Sequence, residues 1–256
     1  MHFKGLDQLR KHIPDLHAPA RSALIPLAVL SIFGLVVATF FWLDDLWPDW
    51  TLAGQFGALI VGFLLVSTFF RQREKFKARW GEMAYRNAFG RYVLTGLPFI
   101  FAVIAHIGYM PGPSIPVNWW IIGIATLGWY FFVVGAALLI RAIFTFGADN
   151  LAMLYIYFPE EGRMVDSAIY GVLRHPAYAG IVRIGISLGL LNGNWFAFAF
   201  GLFMPLGLTL WLRLVEEKEL LERFGAGYAD YRKKVPAFWP RLRDWGKFYG
   251  FLITGK

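Results

Sequence analysis

The chain contains no cysteine, which excludes disulfides, thiolate metal sites and a cysteine nucleophile. Charge is scarce as well: 16% of the 256 residues are charged, against about 25% in a soluble domain. No Gly-x-Gly-x-x-Gly follows a strand-like run. Metal-ligand spacing is missing too. His2, His12 and His17 are joined by no acidic cluster and read as solvated residues of a tail. No internal repeat or low-complexity tract is found.

Apolar residues dominate instead. The chain is 57% hydrophobic and 18% aromatic, with 11 Trp and 25 Phe, and it holds several uncharged runs of about 20 residues. This composition predicts an all-α fold, a polytopic transmembrane helical bundle with about six spans. The net charge of +8 is read as basic loops at the cytoplasmic face, near anionic lipid heads, and not as a nucleic-acid surface.

Residues 1–22 form a polar, basic N-terminal tail. The first span, Ala23–Leu43, is too long for a signal peptide and leads into Asp44-Asp45, so it reads as a retained helix. Thr51–Phe70 is the second span. The stretch from Arg71 to Arg91 holds seven Arg or Lys and belongs inside, where an amphipathic surface helix could form. Tyr92–Met110, which contains His106, and Val117–Ile140, which opens at Trp119-Trp120, are the third and fourth spans. Residues 23–141 thus make a four-span scaffold and 142–256 a second region. Within the latter, Glu160, Glu161 and Arg163 lie in a turn, either solvated or gating. Pro176–Leu191 and Trp195–Leu212 are the last apolar segments. Both termini fall inside.

The last two segments are joined by Asn192-Gly193-Asn194, so short a link that it forces an antiparallel hairpin. The hairpin brings Arg174 and His175 level with Trp211–Arg213, and Glu216 and Glu217 follow within about one helical turn. Two polar clusters distant in sequence therefore meet at one mouth. His175 precedes a proline and is disfavoured as helix, while Pro176 suits the first helical position. The helix should begin there, with free N–H groups and a positive dipole beside Arg174, an arrangement suited to an anion. Arg183 lies about 10 Å inside this helix. It should face a polar cavity, as a substrate contact, or an acid, or snorkel to the near surface. The segment spans only about 24 Å, less than the ~30 Å hydrocarbon core, so the mouth should be recessed. Gly185 and Gly189 allow close approach of a neighbouring helix. His106 reads as a packing or interfacial residue.

Arg174-His175-Pro176-x-Tyr178-x-Gly180, a helical hairpin, Glu216-Glu217-x-x-Leu220, Phe224-Gly225-x-x-Tyr228-x-x-Tyr231 and Val235-Pro236-x-x-x-Pro240 occur in this order over about 70 residues. The pattern resembles the isoprenylcysteine carboxyl methyltransferase and phospholipid methyltransferase group of integral membrane enzymes. The resemblance implies S-adenosylmethionine as cofactor, bound by the C-terminal hairpin and tail beneath the membrane surface. A lipid or hydrophobic small molecule would be the methyl acceptor, entering from the bilayer. It also implies cofactor contacts from Tyr170, His175, Pro176, Tyr178 and Gly180 on the first flank. Glu216, Glu217, Tyr228 and Tyr231 would supply those of the second. Arg174 and Arg213 stand where a catalytic, acceptor-positioning arginine would be needed. Relatives often carry Gly-Pro before the tyrosine that precedes the motif; here Ala168-Ile169 stand there.

The acceptor is left open among amine, carboxylate and thiol, and the oligomeric state is not specified. Two rival functions remain: an NADPH-dependent membrane reductase of the sterol-reductase type, and a non-enzymatic membrane protein on the same scaffold. The glutamate pair matches the methyltransferase pattern, and the nearly uncharged first four spans disfavour a transporter.

Overall fold

The computed structural model describes residues 4–116, 121–162 and 164–255; Arg163, Trp119, Trp120 and His2 lie outside them. In chain order the helices are α1 (Leu6–His12), α2 (Pro19–Leu46), α3 (Thr51–Arg71), α4 (Arg73–Trp80), α5 (Ala84–Ala88) and α6 (Leu94–Ile107). They continue as α7 (Ile121–Phe146), α8 (Ala148–Leu151), α9 (Pro176–Asn192), α10 (Trp195–Trp211), α11 (Glu217–Lys234) and α12 (Trp245–Thr254). Among the described residues the only β feature is one isolated bridge, Ser114 to Asn194.

Five helical stretches are long and apolar enough to cross a membrane: Pro19–Leu46, Pro48–Arg71, Arg73–Ile107, Ile121–Phe146 and Trp195–Lys234. α9 has 17 residues, about 25 Å of rise, and is the short one that the sequence anticipates. The first helices leave their apolar side chains outward, as a lipid-facing surface requires: Leu30 is 64% and Leu35 69% exposed. The basic stretch after α3 is not one amphipathic helix. It breaks at Gly81, which has φ 53°, and turns Phe76 inward between the rings of Trp80 and Tyr92.

Glycine sets the central packing. α9 lies between α7 and α10, its most extensive neighbours. A Cβ on Gly180 would stand 2.8 Å from the Gly135 carbonyl of α7, and one on Gly189 2.5 Å from the Ala197 carbonyl of α10. These helices approach backbone to backbone, the small-residue packing expected in lipid. The hairpin turns at Gly193, with φ 83°, and Asn194 caps α10 by accepting from the Ala197 amide at 2.9 Å.

At the hairpin-tip end, His106 is fully buried and joins α2, α3 and α6. Its Nδ1 is 2.8 Å from Gln55 Oε1 and its Nε2 2.9 Å from Asp44 Oδ2, and the Phe40 ring stacks on it. Thr51 donates to the other Asp44 oxygen. The residue is a structural clasp, as the packing reading expects.

The N-terminal tail is docked at the opposite end. Gln8, Lys11 and His12 converge on Glu161, and the His12 ring stacks on Phe158 at 3.8 Å. His12 is thus engaged by the turn, unlike the solvated residue read from sequence; His17 and Glu160 are exposed. Burial pushes the Glu161 carboxyl up, but hydrogen bonds from Gln8 and His12 and the cationic groups beside it outweigh burial and hold it below its ordinary value. A depressed carboxyl stabilises the docked arm fully above the ordinary glutamate range, near ~4.3. The contribution is lost as pH falls through the lower folded value. Hydrogen exchange of residues 6–17, corrected for intrinsic rate, should therefore rise relative to α9 on acidification below about pH 4. Glu161→Gln should show the loosened arm at neutral pH; equal protection in both proteins contradicts this.

Candidate active site

The Arg-His-Pro turn begins where the proline dictates. His175 has φ −128° and ψ 64°, and Pro176 occupies the first position of α9. The chain's far end returns to hold this turn. The Arg174 amide donates to the Pro236 carbonyl at 2.9 Å and the His175 amide to the Ala237 carbonyl at 3.3 Å. The Arg183 guanidinium then donates to the Phe238 carbonyl at 3.0 Å and to Ala179 at 2.8 Å. It sits 4.3 Å over the Trp239 ring and 5.3 Å from that of Phe248. Arg183 is 1% exposed. It neither snorkels nor lines a described cavity; it pins the tail segment that braces the turn.

A second local feature positions the glutamates. Between α10 and α11, residues Leu212–Glu216 form a π turn, an inserted residue in the helical register of a kind frequent at functional sites. Arg213 emerges exposed, away from the mouth, so the structure does not bring it to the other site residues. Glu216 and Glu217 face inward side by side. Glu217 is 3% exposed and lies behind the turn. It accepts from Arg174 Nε at 2.7 Å, approaches His175 Nε2 at 3.2 Å and has Arg232 Nη1 at 3.6 Å. Glu216 accepts from the Tyr178 hydroxyl at 2.6 Å, with His175 Nδ1 at 3.7 Å from its other oxygen.

These residues wall one pocket. Its lining includes Tyr170, Arg174, His175, Pro176, Tyr178, Glu216, Tyr228 and Tyr231, eight of the residues singled out from sequence. The Tyr231 hydroxyl donates to the Tyr170 carbonyl at 2.7 Å, whereas the buried Tyr228 hydroxyl has no partner. Gly180 lies outside, in the α7 contact described above. The wall opposite the turn comes from the 148–165 segment, through Asn150, Tyr155, Met164 and Val165. The sequence offered no signal for this wall beyond a short apolar run. Free space in the pocket is about 80 Å³, below the ~300–1,000 Å³ of small-molecule sites.

A larger cavity, about 500 Å³, opens beside it among α3, α6, α7, α9 and α10. It is lined almost wholly by apolar side chains such as Phe63, Ile100, Ile181, Phe203 and Leu206. Its carboxylate, amide and phenols are Glu216, Asn150, Tyr155 and Tyr178, and all four also line the smaller pocket. Among the described residues no Arg, Lys or His lies in its wall.

Ala168 has φ 52°, the left-handed region that favours glycine, and it occupies the position where relatives of the motif often carry glycine. Ala168→Gly should thus raise stability by about 1 kcal/mol, because it relieves native strain at a modest unfolded-state cost. A thermal melt in detergent checks this; a lowered melting temperature contradicts it.

The polar pocket thus lies beside an apolar cavity in a helical scaffold whose five long apolar helices fit an integral membrane protein. The phospholipid methyltransferase family model matches residues 124–227, which contain α9, α10 and both glutamates. Protein-S-isoprenylcysteine O-methyltransferase B of Arabidopsis thaliana is 28% identical over 154 residues, 57% of this chain and 72% of that protein. Methanethiol S-methyltransferase 2 of Bradyrhizobium diazoefficiens is 28% identical over 203 residues, covering 72% and 74%. Protein-S-isoprenylcysteine O-methyltransferase of Schizosaccharomyces pombe is 31% identical over 88 residues, 32% and 35% of the two chains. No solved structure matches the chain significantly. The chain is a methyltransferase, similar to the phospholipid methyltransferase and isoprenylcysteine carboxyl methyltransferase group of integral membrane enzymes.

Proposed function

We propose that this enzyme transfers a methyl group from S-adenosylmethionine to a hydrophobic amine or thiol at the cytoplasmic face of a membrane. The observation that carries the reading is the shared wall: every carboxylate, amide and phenol of the apolar cavity also lines the polar pocket. A chain-like acceptor lying in the cavity would present its polar end where the two spaces join. The basic residues of 71–91 share the pocket's end of the bundle, since Arg73 Nη2 lies 3.9 Å from Glu222 of α11, and such residues favour the cytoplasmic side. The region 142–256 then forms the cofactor-binding part on a scaffold built from 23–141, and the 1–22 tail holds to it through Gln8, Lys11 and His12.

The pocket's chemistry fits the cofactor. It offers carboxylate to cationic groups, aromatic faces to a nucleobase and unpartnered buried donors at Tyr228 and Arg223. When bound, the cofactor supplies a methyl already activated on a sulfonium, open to in-line displacement. Protein groups have the task of alignment and water exclusion. Glu216, at the junction, would take the proton that the acceptor's nitrogen or sulfur loses on methylation. Tyr178 orients that carboxylate through its hydrogen bond. Glu217 is a positioning residue that holds Arg174 and His175. A carboxylate acceptor would meet Glu216 with no cation of the cavity wall to hold it.

Labelled methyl transfer to an amine, a thiol and a carboxylate of equal chain length tests this. Product from the amine or thiol is expected, and product from the carboxylate alone contradicts the assignment.

A further inference from the structure

The inference below rests on the cofactor reading just given. S-adenosylmethionine carries one anionic group, the carboxylate of its amino-acid arm. Spacing in the sequence offers Arg174 for an anion, but the folded chain commits that guanidinium elsewhere. Its Nε donates to Glu217 and its Nη1 to the Val235 carbonyl at 2.8 Å. A different cation in the pocket wall keeps unused donors.

Arg223 lines the pocket from α11 with a side chain only 9% exposed. Its guanidinium lies 3.9 Å over the Tyr155 ring and 4.2 Å from that of Phe224, so two aromatic faces fix its plane. Gly162 leaves it room, since a Cβ there would come within 2.5 Å of Nη1. Glu219 Oε1 is 3.5 Å from Nε, too long for a well-formed hydrogen bond. Both Nε and Nη1 lack a hydrogen-bond partner. Buried donors in native proteins are nearly always satisfied, so a pair left open on a fixed arginine calls for a ligand acceptor. A planar fork of N–H groups matches a carboxylate.

We propose that Arg223 receives the carboxylate of the cofactor's amino-acid arm, while Arg174 holds the turn. The α9 N-terminus, where Ala177 and Tyr178 also line the pocket, is the competing receptor.

The test is calorimetric titration of the full-length, detergent-purified protein with S-adenosylhomocysteine and with 5′-methylthioadenosine, which lacks the amino-acid arm. Arg223→Gln should weaken S-adenosylhomocysteine roughly 10- to 100-fold and leave methylthioadenosine unchanged. Arg223→Lys, which keeps the charge and loses the fork, should recover part of the affinity. An equal loss for both ligands would make Arg223 a brace for the Tyr155 wall and overturn the proposal. Unchanged affinity for both would place the carboxylate elsewhere, the α9 N-terminus included, and overturn it as well. Should Arg223→Gln fail to fold, the ratio of the two affinities in Arg223→Lys decides: a selective loss for S-adenosylhomocysteine supports the proposal and an unchanged ratio overturns it. A wild-type protein that binds neither ligand removes the cofactor reading itself.

Discussion

Glu217→Ala is expected to destabilise the enzyme by about 3–5 kcal/mol, the usual consequence of stranding one member of a buried ion pair. The carboxylate is 4% exposed and faces Arg174 and His175 at hydrogen-bond distance. Its removal leaves the Arg174 Nε and the buried His175 imidazole nitrogen without their anion. Arg232, 43% exposed, adds little, since surface pairs are screened. The turn that starts α9 then loses its anchor, so affinity for S-adenosylhomocysteine should fall with stability. Replacing Arg174 and Glu217 together by methionine should restore much of the stability, because the stranded charge, more than the lost attraction, carries the cost. Chemical denaturation and calorimetry of the two variants check both halves. Wild-type melting and affinity in Glu217→Ala would place this glutamate outside the framework.

Ile181→Trp is expected to separate the two spaces. Ile181 lines the apolar cavity but not the pocket. A larger ring there occupies acceptor space and leaves the cofactor wall intact. One misfitting methylene in an apolar pocket changes discrimination by about 10–200-fold, so KM for a long-chain acceptor should rise at least tenfold. S-adenosylhomocysteine affinity should stay at the wild-type value. Loss of both together would mean that the cavity is structural space of the bundle and not the acceptor's path.

The parts of this fold that hydropathy and spacing describe were legible. The apolar runs from Ala23 and from Thr51 lie inside α2 and α3, Pro176 starts α9, and the link at Gly193 closes the hairpin. That hairpin alone brings Arg174 and His175 to Glu216 and Glu217. Features that depend on register or on long-range return were hidden. The π turn at Leu212–Glu216 leaves no periodic signature, yet it turns Arg213 outward and sets both glutamates inward. The return of Val235–Phe238 onto the turn runs through backbone carbonyls, which carry no residue preference, and it gives Arg183 a partner that none of the sequence alternatives contained. Arg223 stands four residues after Glu219, a spacing common to ordinary intrahelical pairs, and nothing in the sequence singles it out. Only its burial against Tyr155 and Phe224 marks it out. His106 was rightly read as packing, but its partners Asp44 and Gln55 come from two other helices.

The central claim is that the pocket at the Arg-His-Pro turn takes S-adenosylmethionine. Calorimetric titration of the detergent-purified protein with S-adenosylhomocysteine, beside NADPH, tests it most directly. Saturable binding of S-adenosylhomocysteine alone, weakened by Glu217→Ala, is the predicted result. Binding of NADPH in its place would contradict it and assign the pocket to a reductase.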